Sequence, residues 1–123
     1  MRANRKKNKV KQAVILCGGF GSRLGKITKN TPKPLLKVNN KPFIEYLLNF
    51  FLRFGIKEIF LLCHFKSKKF FKKYHNQKIN NVIVKCINEK NKLGTGGAIK
   101  NSLKFFDNYF YVSNGDTLFD INL

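Results

Sequence analysis

Four short apolar runs, separated by segments whose apolar residues recur at helical spacing, set the narrowest limits on how this chain can fold. The first, "KQAVILC", holds five consecutive apolar residues, as expected of a strand covered on both faces. "KEIFLLCH", "NVIVKCI" and "NYFYVSNGD" read as a second, third and fourth strand. Between the first two lies "KPFIEYLLNFFLRFG", which reads as a helix with Pro42 suited to its first turn and Gly55 to its end. "SKKFFKKYHN" reads as a short amphipathic helix capped by Ser67, with Phe70, Phe71 and Tyr74 on one side. "GTGGAIKNSLKFF" starts a helix among glycines, with Ile99, Leu103 and Phe106 at helical spacing. Alternation of this kind predicts an α/β fold: a mainly parallel sheet between helical layers, ending after the fourth strand. With the four strands ordered 3-2-1-4, the fourth becomes an exposed apolar edge.

In such sheets ligands bind beyond the carboxyl ends of the strands. Three unusual segments fall there: "CGGFGSR" and "SNGD" follow the first and fourth strands, and "LGTGGA" opens the last helix. Glycines after a buried strand let the chain reverse sharply and bring its N–H groups close to an anion. Two familiar phosphate loops are excluded. Gly19-Phe20-Gly21 is followed by Leu24 where a dinucleotide fingerprint needs glycine. Gly25-Lys26 has Phe20 and Ile27 where a Walker loop needs glycine and a hydroxyl. What remains is GGxGSR followed by a lysine, Lys33, fenced by Pro32 and Pro34, which predicts a stiff extended loop with Lys33 out of helical geometry. Arg23 offers a planar fork of donors matched to phosphate oxygens. Taken singly, Arg23 and Lys33 also read as ordinary surface charge. Asp116 suits a hard cation and equally suits a turn after Gly115.

Together, "LCGGFGSRLGKITKNTPKPLLKVNNKPFIEYLL", "EKNKLGTGGAI" and "NGDTLFDINL" resemble, in order, three signatures of the sugar-1-phosphate nucleotidyltransferases. The likeness runs from Val14 to the end of the chain. It is closest in character to the guanylyltransferases acting on mannose 1-phosphate or D-glycero-D-manno-heptose 1-phosphate. The resemblance implies a Rossmann-like three-layer sandwich. It implies that Leu16, Gly18, Gly19, Gly21 and Ser22 wrap the nucleotide, that Arg23 holds the β- and γ-phosphates, and that Lys33 reaches a phosphate in the reacting complex. It sets Gly94, Thr95 and Gly96 beside base and sugar, and makes Asp116 a ligand of Mg²⁺. Glu89 falls at the family's acidic position before this loop and is read as structural. The implied reaction is in-line: a sugar 1-phosphate oxygen attacks the α-phosphorus of an NTP, GTP by resemblance, and pyrophosphate leaves. The product would be an NDP-sugar for surface polysaccharide, as in lipopolysaccharide or capsule. Family members continue for about as much again beyond the point matched by Leu123. The chain is therefore expected to be an N-terminal portion, with a second chain or a missing C-terminal half as partner. One alternative is a truncated nucleotide-binding module without turnover.

Charge supplies another. The 25 Lys+Arg against 6 Asp+Glu give +19, which favours anionic partners and admits a basic nucleic-acid binder. No nucleic-acid motif accompanies the charge, the aromatics of "FKSKKFFKKYH" fall at core-facing helical positions, and nucleic acid is not the expected partner. The lysines are scattered, and Lys, Asn, Phe and Ile are over-used together, as in a coding sequence drifting towards A and T. Cys17, Cys63 and Cys86 lie far apart, each in or after an apolar run, and read as small buried side chains. Residues 1–10 read as a basic flexible tail and 11–123 as a nucleotide-binding domain. The tail precedes too short an apolar run for a signal peptide, and no stretch approaches transmembrane length. A cytoplasmic, reducing location is expected.

Overall fold

The computed structural model describes residues 9–19, 21–91, 93–118 and 123, without the side chains of Ser22 and Arg23. Its central sheet carries the expected strands and one more. In chain order, β1 (Gln12–Leu16) precedes a small hairpin of β2 (Lys37–Val38) and β3 (Lys41–Pro42). Then come α1 (Phe43–Leu52), β4 (Glu58–Cys63), α2 (Ser67–Tyr74), β5 (Gln77–Ile79), β6 (Val82–Asn88), α3 (Gly94–Ser102) and β7 (Tyr111–Asn114). The sheet order is β5-β6-β4-β1-β7, so the four expected strands stand in the order 3-2-1-4. All neighbours are parallel except β5, which pairs antiparallel with β6. β7 sits at the edge beside β1, as the topology required.

The unbroken apolar character of β1 follows from its position. Ala13, Ile15 and Cys17 face a core filled by Ile44, Leu47 and Phe51 of α1 and by Phe70 and Tyr74 of α2. Val14 and Leu16 face the other way, against Ala98 and Ile99 of α3 with Phe106 and Phe110. β4 divides likewise, with Ile59, Leu61 and Cys63 on the first face and Phe60 and Leu62 on the second. A strand with helices on both sides has no face to give to water, so alternation disappears. All three cysteines are buried and free, as their surroundings predicted. Residues 1–8 of the basic segment lie outside the described residues, while Val10 already packs against the core.

Several local expectations are corrected. Ser67 is the first residue of α2 rather than its cap, and the capping position falls to Lys66 in a left-handed conformation (φ 51°) with no side-chain hydrogen bond. Leu103 is exposed, because α3 tightens into a 3-10 turn over Leu103–Phe105 and the 3.6-residue period lapses there. Two hairpins escaped the sequence reading. Asn39–Asn40 and Asn80–Asn81 each link two strands with both residues at positive φ, between 46° and 68°. Asparagine tolerates that region, and a two-residue loop with both φ positive matches the twist of a hairpin. No strand was expected on either side of these pairs except the third, so β2, β3 and β5 went unread.

Candidate functional site

The carboxyl ends of β1, β4, β6 and β7 meet at one rim, and a cavity of about 640 Å³ opens there. Its wall is assembled from all three glycine-rich segments. Leu16, Cys17, Gly18, Gly19 and Gly21 enter from the end of β1, Gly94, Thr95 and Ala98 from the start of α3, and Asn114 and Asp116 from the end of β7. Lys33 and Pro34 complete it. Of the residues singled out in the sequence, Leu16, Gly18, Gly19, Gly21, Lys33, Gly94, Thr95 and Asp116 line this space. Gly96 is not among the lining residues; it lies one position further into α3, exposed, with open space where a Cβ would be. The side chains of Ser22 and Arg23 lie outside the described residues, but their flanking neighbours Gly21 and Leu24 both line the cavity.

The loop after β1 owes its course to particular contacts. The Cys17 amide donates to the Leu62 carbonyl at 2.8 Å, carrying the parallel register one residue past the strand. Gly21 is left-handed (φ 63°, ψ 30°) and opens two 3-10 turns over Ser22–Thr28, broken at Gly25. Any Cβ at position 21 would lie 2.9 Å from the Thr28 methyl, so conformation and space both require glycine.

Lys33 departs from expectation. It begins a short 3-10 turn, Lys33–Leu35, instead of standing on an extended loop. Pro34 is compatible with the first turn of a helix, where its missing N–H has no partner to lose. Pro32, extended at φ −54° and ψ 142°, caps that turn, and its carbonyl accepts from the Leu35 amide at 2.9 Å. The lysine is stiffly presented after all, by a turn in place of an extended arm.

Opposite it stands Asp116, placed by Gly115. The Gly115 amide donates to the Leu16 carbonyl at 2.9 Å. A Cβ there would lie 2.8 Å from that oxygen and 2.9 Å from Pro34 Cγ. This close approach ties the ends of β1 and β7 to the proline loop. Lys33 Nζ donates to Asp116 Oδ2 at 2.9 Å across 83 residues of sequence, and Thr117 Oγ1 donates to Oδ1 at 3.0 Å. The Lys33 hydrogen bond, reinforced by that of Thr117, holds the Asp116 carboxyl below its ordinary range against a smaller opposing effect of burial.

Glu89, read from the sequence as structural, also lines the cavity. Its residue is 6% exposed, yet its carboxylate lies on the cavity wall, with Oε1 3.6 Å from where a Gly18 Cβ would be. The backbone fixes it: the Glu89 amide donates to the Cys63 carbonyl at 2.7 Å, and its own carbonyl lies 2.8 Å from His64 Nδ1. The Leu93 amide approaches Oε2 at 3.5 Å. A rare acid just past a strand end at the ligand-binding rim, in a chain with 6 acids, was the available signal. Among the described residues no group of three or more His, Cys, Asp or Glu is arranged to hold a metal. No described helix is long and apolar enough to cross a membrane.

Comparison with known proteins agrees with this geometry. The nucleotidyl transferase family model matches residues 12–123. The chain is 47% identical over 112 residues to D-glycero-alpha-D-manno-heptose 1-phosphate guanylyltransferase of Campylobacter jejuni, covering 91% of this chain and 50% of that protein. The protein of the same description from Aneurinibacillus thermoaerophilus is 37% identical over 117 residues, at 91% and 49% coverage. The chain thus spans about half the length of the curated relatives it matches. Among solved structures, HddC from Yersinia pseudotuberculosis complexed with GMP-PN superposes with a TM-score of 0.76 at 35% identity, over 87% of this chain and 48% of that one. UDP-glucose pyrophosphorylase from Acinetobacter baumannii superposes at 0.78 with 22% identity, over 87% and 46%, and shares the fold. The sheet order, the cavity at its carboxyl rim and the match over residues 12–123 agree: this chain belongs to the nucleotidyl transferase family.

Proposed function

We propose that the chain is the nucleotide-binding part of an enzyme that transfers guanylyl from GTP to a heptose or mannose 1-phosphate, for surface polysaccharide synthesis. One observation carries this reading: Lys33 and Asp116 are joined across a cavity walled by bare glycine backbone. A cation and an ionised carboxylate beside unhindered N–H groups suit a metal-bound triphosphate. In the reaction, an oxygen of the sugar phosphate bonds to the α-phosphorus while the bond to the β-phosphate oxygen breaks, and pyrophosphate carries away the electron pair. No side-chain nucleophile is required, because the attacking phosphate is already anionic. Gly18, Gly19, Gly21 and Ser22 would enclose the nucleotide, with Leu16 beside them. Arg23 would hold the β- and γ-phosphates and Lys33 the phosphate nearer the reacting bond. Positioning and charge stabilisation then supply the catalysis.

Mg²⁺, which the resemblance implies, fits Asp116 as one ligand. The ion takes one or two carboxylates with substrate phosphates and keeps waters, so the ionised Asp116 on the cavity wall would serve as its protein ligand beside the triphosphate. When bound it would neutralise charge on the triphosphate.

Glu89 supports guanine as the base. A carboxylate in an anion-binding cavity repels phosphate, so it belongs beside the part of the ligand richest in donors. Guanine offers two adjacent donors, N1–H and N2–H₂, which two carboxylate oxygens can accept together. Thr95, Gly94 and Gly96 would then border the base and sugar. The nucleic-acid alternative loses two of the aromatics of its basic segment, since Phe70 and Tyr74 are buried.

Calorimetry with GTP, CTP, UTP and dTTP in Mg²⁺ tests the proposal. GTP should bind tightest, and Glu89→Gln, which sets an amide donor against a guanine donor, should cut that preference about tenfold. No heat with any nucleotide, or a preference indifferent to the substitution, would reject the assignment.

A further inference from the structure

Thr28 falls within the first quoted signature but was given no role there; it lies seven residues beyond Gly21 and is 2% exposed. Its hydroxyl donates to the Gly21 carbonyl at 2.7 Å, with the Gly25 carbonyl a further 3.3 Å contact. The Leu24 amide donates to the same Gly21 oxygen at 3.0 Å, so two donors pin one peptide plane. The Thr28 methyl occupies the space below Gly21, 2.9 Å from where a Cβ would be, and Lys33 Cβ closes the other side at 3.4 Å. Both functional ends of one small side chain therefore act on a single left-handed glycine.

We infer that Thr28 is a positioning residue: its hydroxyl and methyl lock the Gly21 peptide and so hold the turn that follows it, with Gly21 and Leu24 on the cavity wall. This rests on the nucleotide-binding reading above. Threonine is the residue type that supplies both contacts, because valine keeps the shape without the donor and serine keeps the donor without the methyl. The left-handed glycine has a broad choice of backbone states, and an unanchored loop would have to be ordered by the nucleotide itself. Pre-ordering by Thr28 removes that cost before the ligand arrives.

The test compares the full chain with Thr28→Val and Thr28→Ser. In Thr28→Val the Gly21 carbonyl keeps the Leu24 amide, so the fold should survive while the loop loosens. Amide hydrogen exchange across 21–29 should quicken about tenfold in Thr28→Val, with exchange in β1, β4 and β6 unchanged, and Thr28→Ser should recover most of the protection. With Mg²⁺ and GTP as the probe, affinity should fall about tenfold in Thr28→Val and recover in Thr28→Ser. Equal loop exchange in all three proteins would overturn the inference, as would a rise spread evenly over loop and sheet. If the unaltered chain takes up no GTP, the nucleotide reading fails by itself, and the exchange measurement still decides whether Thr28 fixes the loop.

Discussion

The ion pair between Lys33 and Asp116 joins the two residues to which the proposed chemistry assigns most charge. Each side chain is about two-fifths exposed, at 40% and 39%, so solvent screens the pair and its stabilising effect is about 0–1 kcal/mol. Its importance is one of state. Because the folded-state pKa of Asp116 is lowered, the pair stabilises the folded chain at every pH above the unfolded carboxylate value of about 3.9. That contribution is lost as pH falls through the lowered folded value. Thermal melts of the chain and of Asp116→Asn should thus differ slightly at neutral pH and converge in acid. A difference that widened on acidification would show that another group dominates. Sequence reasoning singled out both residues, Lys33 between its prolines and Asp116 in "NGD", and took their roles from the family resemblance. It missed their contact because a separation of 83 residues leaves no local trace. For Glu89, position before a loop does not say whether the carboxylate lines a cavity, which depends here on the Cys63 and His64 contacts of its backbone.

Among the elements, β1 and β7 form the frame of the site, and Gly115 is the joint between them. The strands themselves were legible because continuous apolar runs are the mark of a sheet covered twice, and Val14 and Ile15 do face opposite cores. The hairpins at Asn39–Asn40 and Asn80–Asn81 were not legible, since turns of this type are most often signalled by glycine and here asparagine supplies both positive φ values. The 3-10 turn at Lys33 was hidden for a different reason, that proline excludes helix interiors but not first turns. At Gly115 the requirement is spatial. A methyl group would meet the Leu16 carbonyl at 2.8 Å and the Pro34 ring at 2.9 Å, and two of those three partners are backbone or a ring held by backbone, with Cys17 Sγ third at 3.3 Å. Gly115→Ala should then destabilise the chain by about 1–3 kcal/mol, the usual cost of overpacking. It should also push Asp116 away from Lys33, so nucleotide affinity should fall further than the melting temperature alone explains. Denaturant titration alongside calorimetry separates the two effects. Unaltered stability in the alanine variant would mean that the strand ends move apart freely, and that the frame is looser than its contacts imply.

For the molecule as a whole, two long-range properties oppose each other. Among the described residues, β7 pairs with β1 on one side and has no strand on the other, and Val112 on it is 45% exposed. Such an edge presents unpaired N–H and C=O groups and an apolar side chain, a template for a second strand. The net charge of +19 works against association, because like molecules repel before their edges can meet. Which effect dominates depends on salt. The screening length is about 30 Å at 0.01 M and about 8 Å at 0.15 M, while strand pairing needs contact at about 4.8 Å. At low salt the repulsion acts well beyond the pairing distance and the chain should be monomeric; near physiological salt it is confined close to contact and the exposed edge should associate. Sedimentation velocity over that range should show mass rising with ionic strength, and Val112→Lys, which adds charge on the edge itself, should suppress the rise. Were mass to fall as salt increased, or the lysine variant to associate equally, the contacts between chains would have to lie elsewhere than β7.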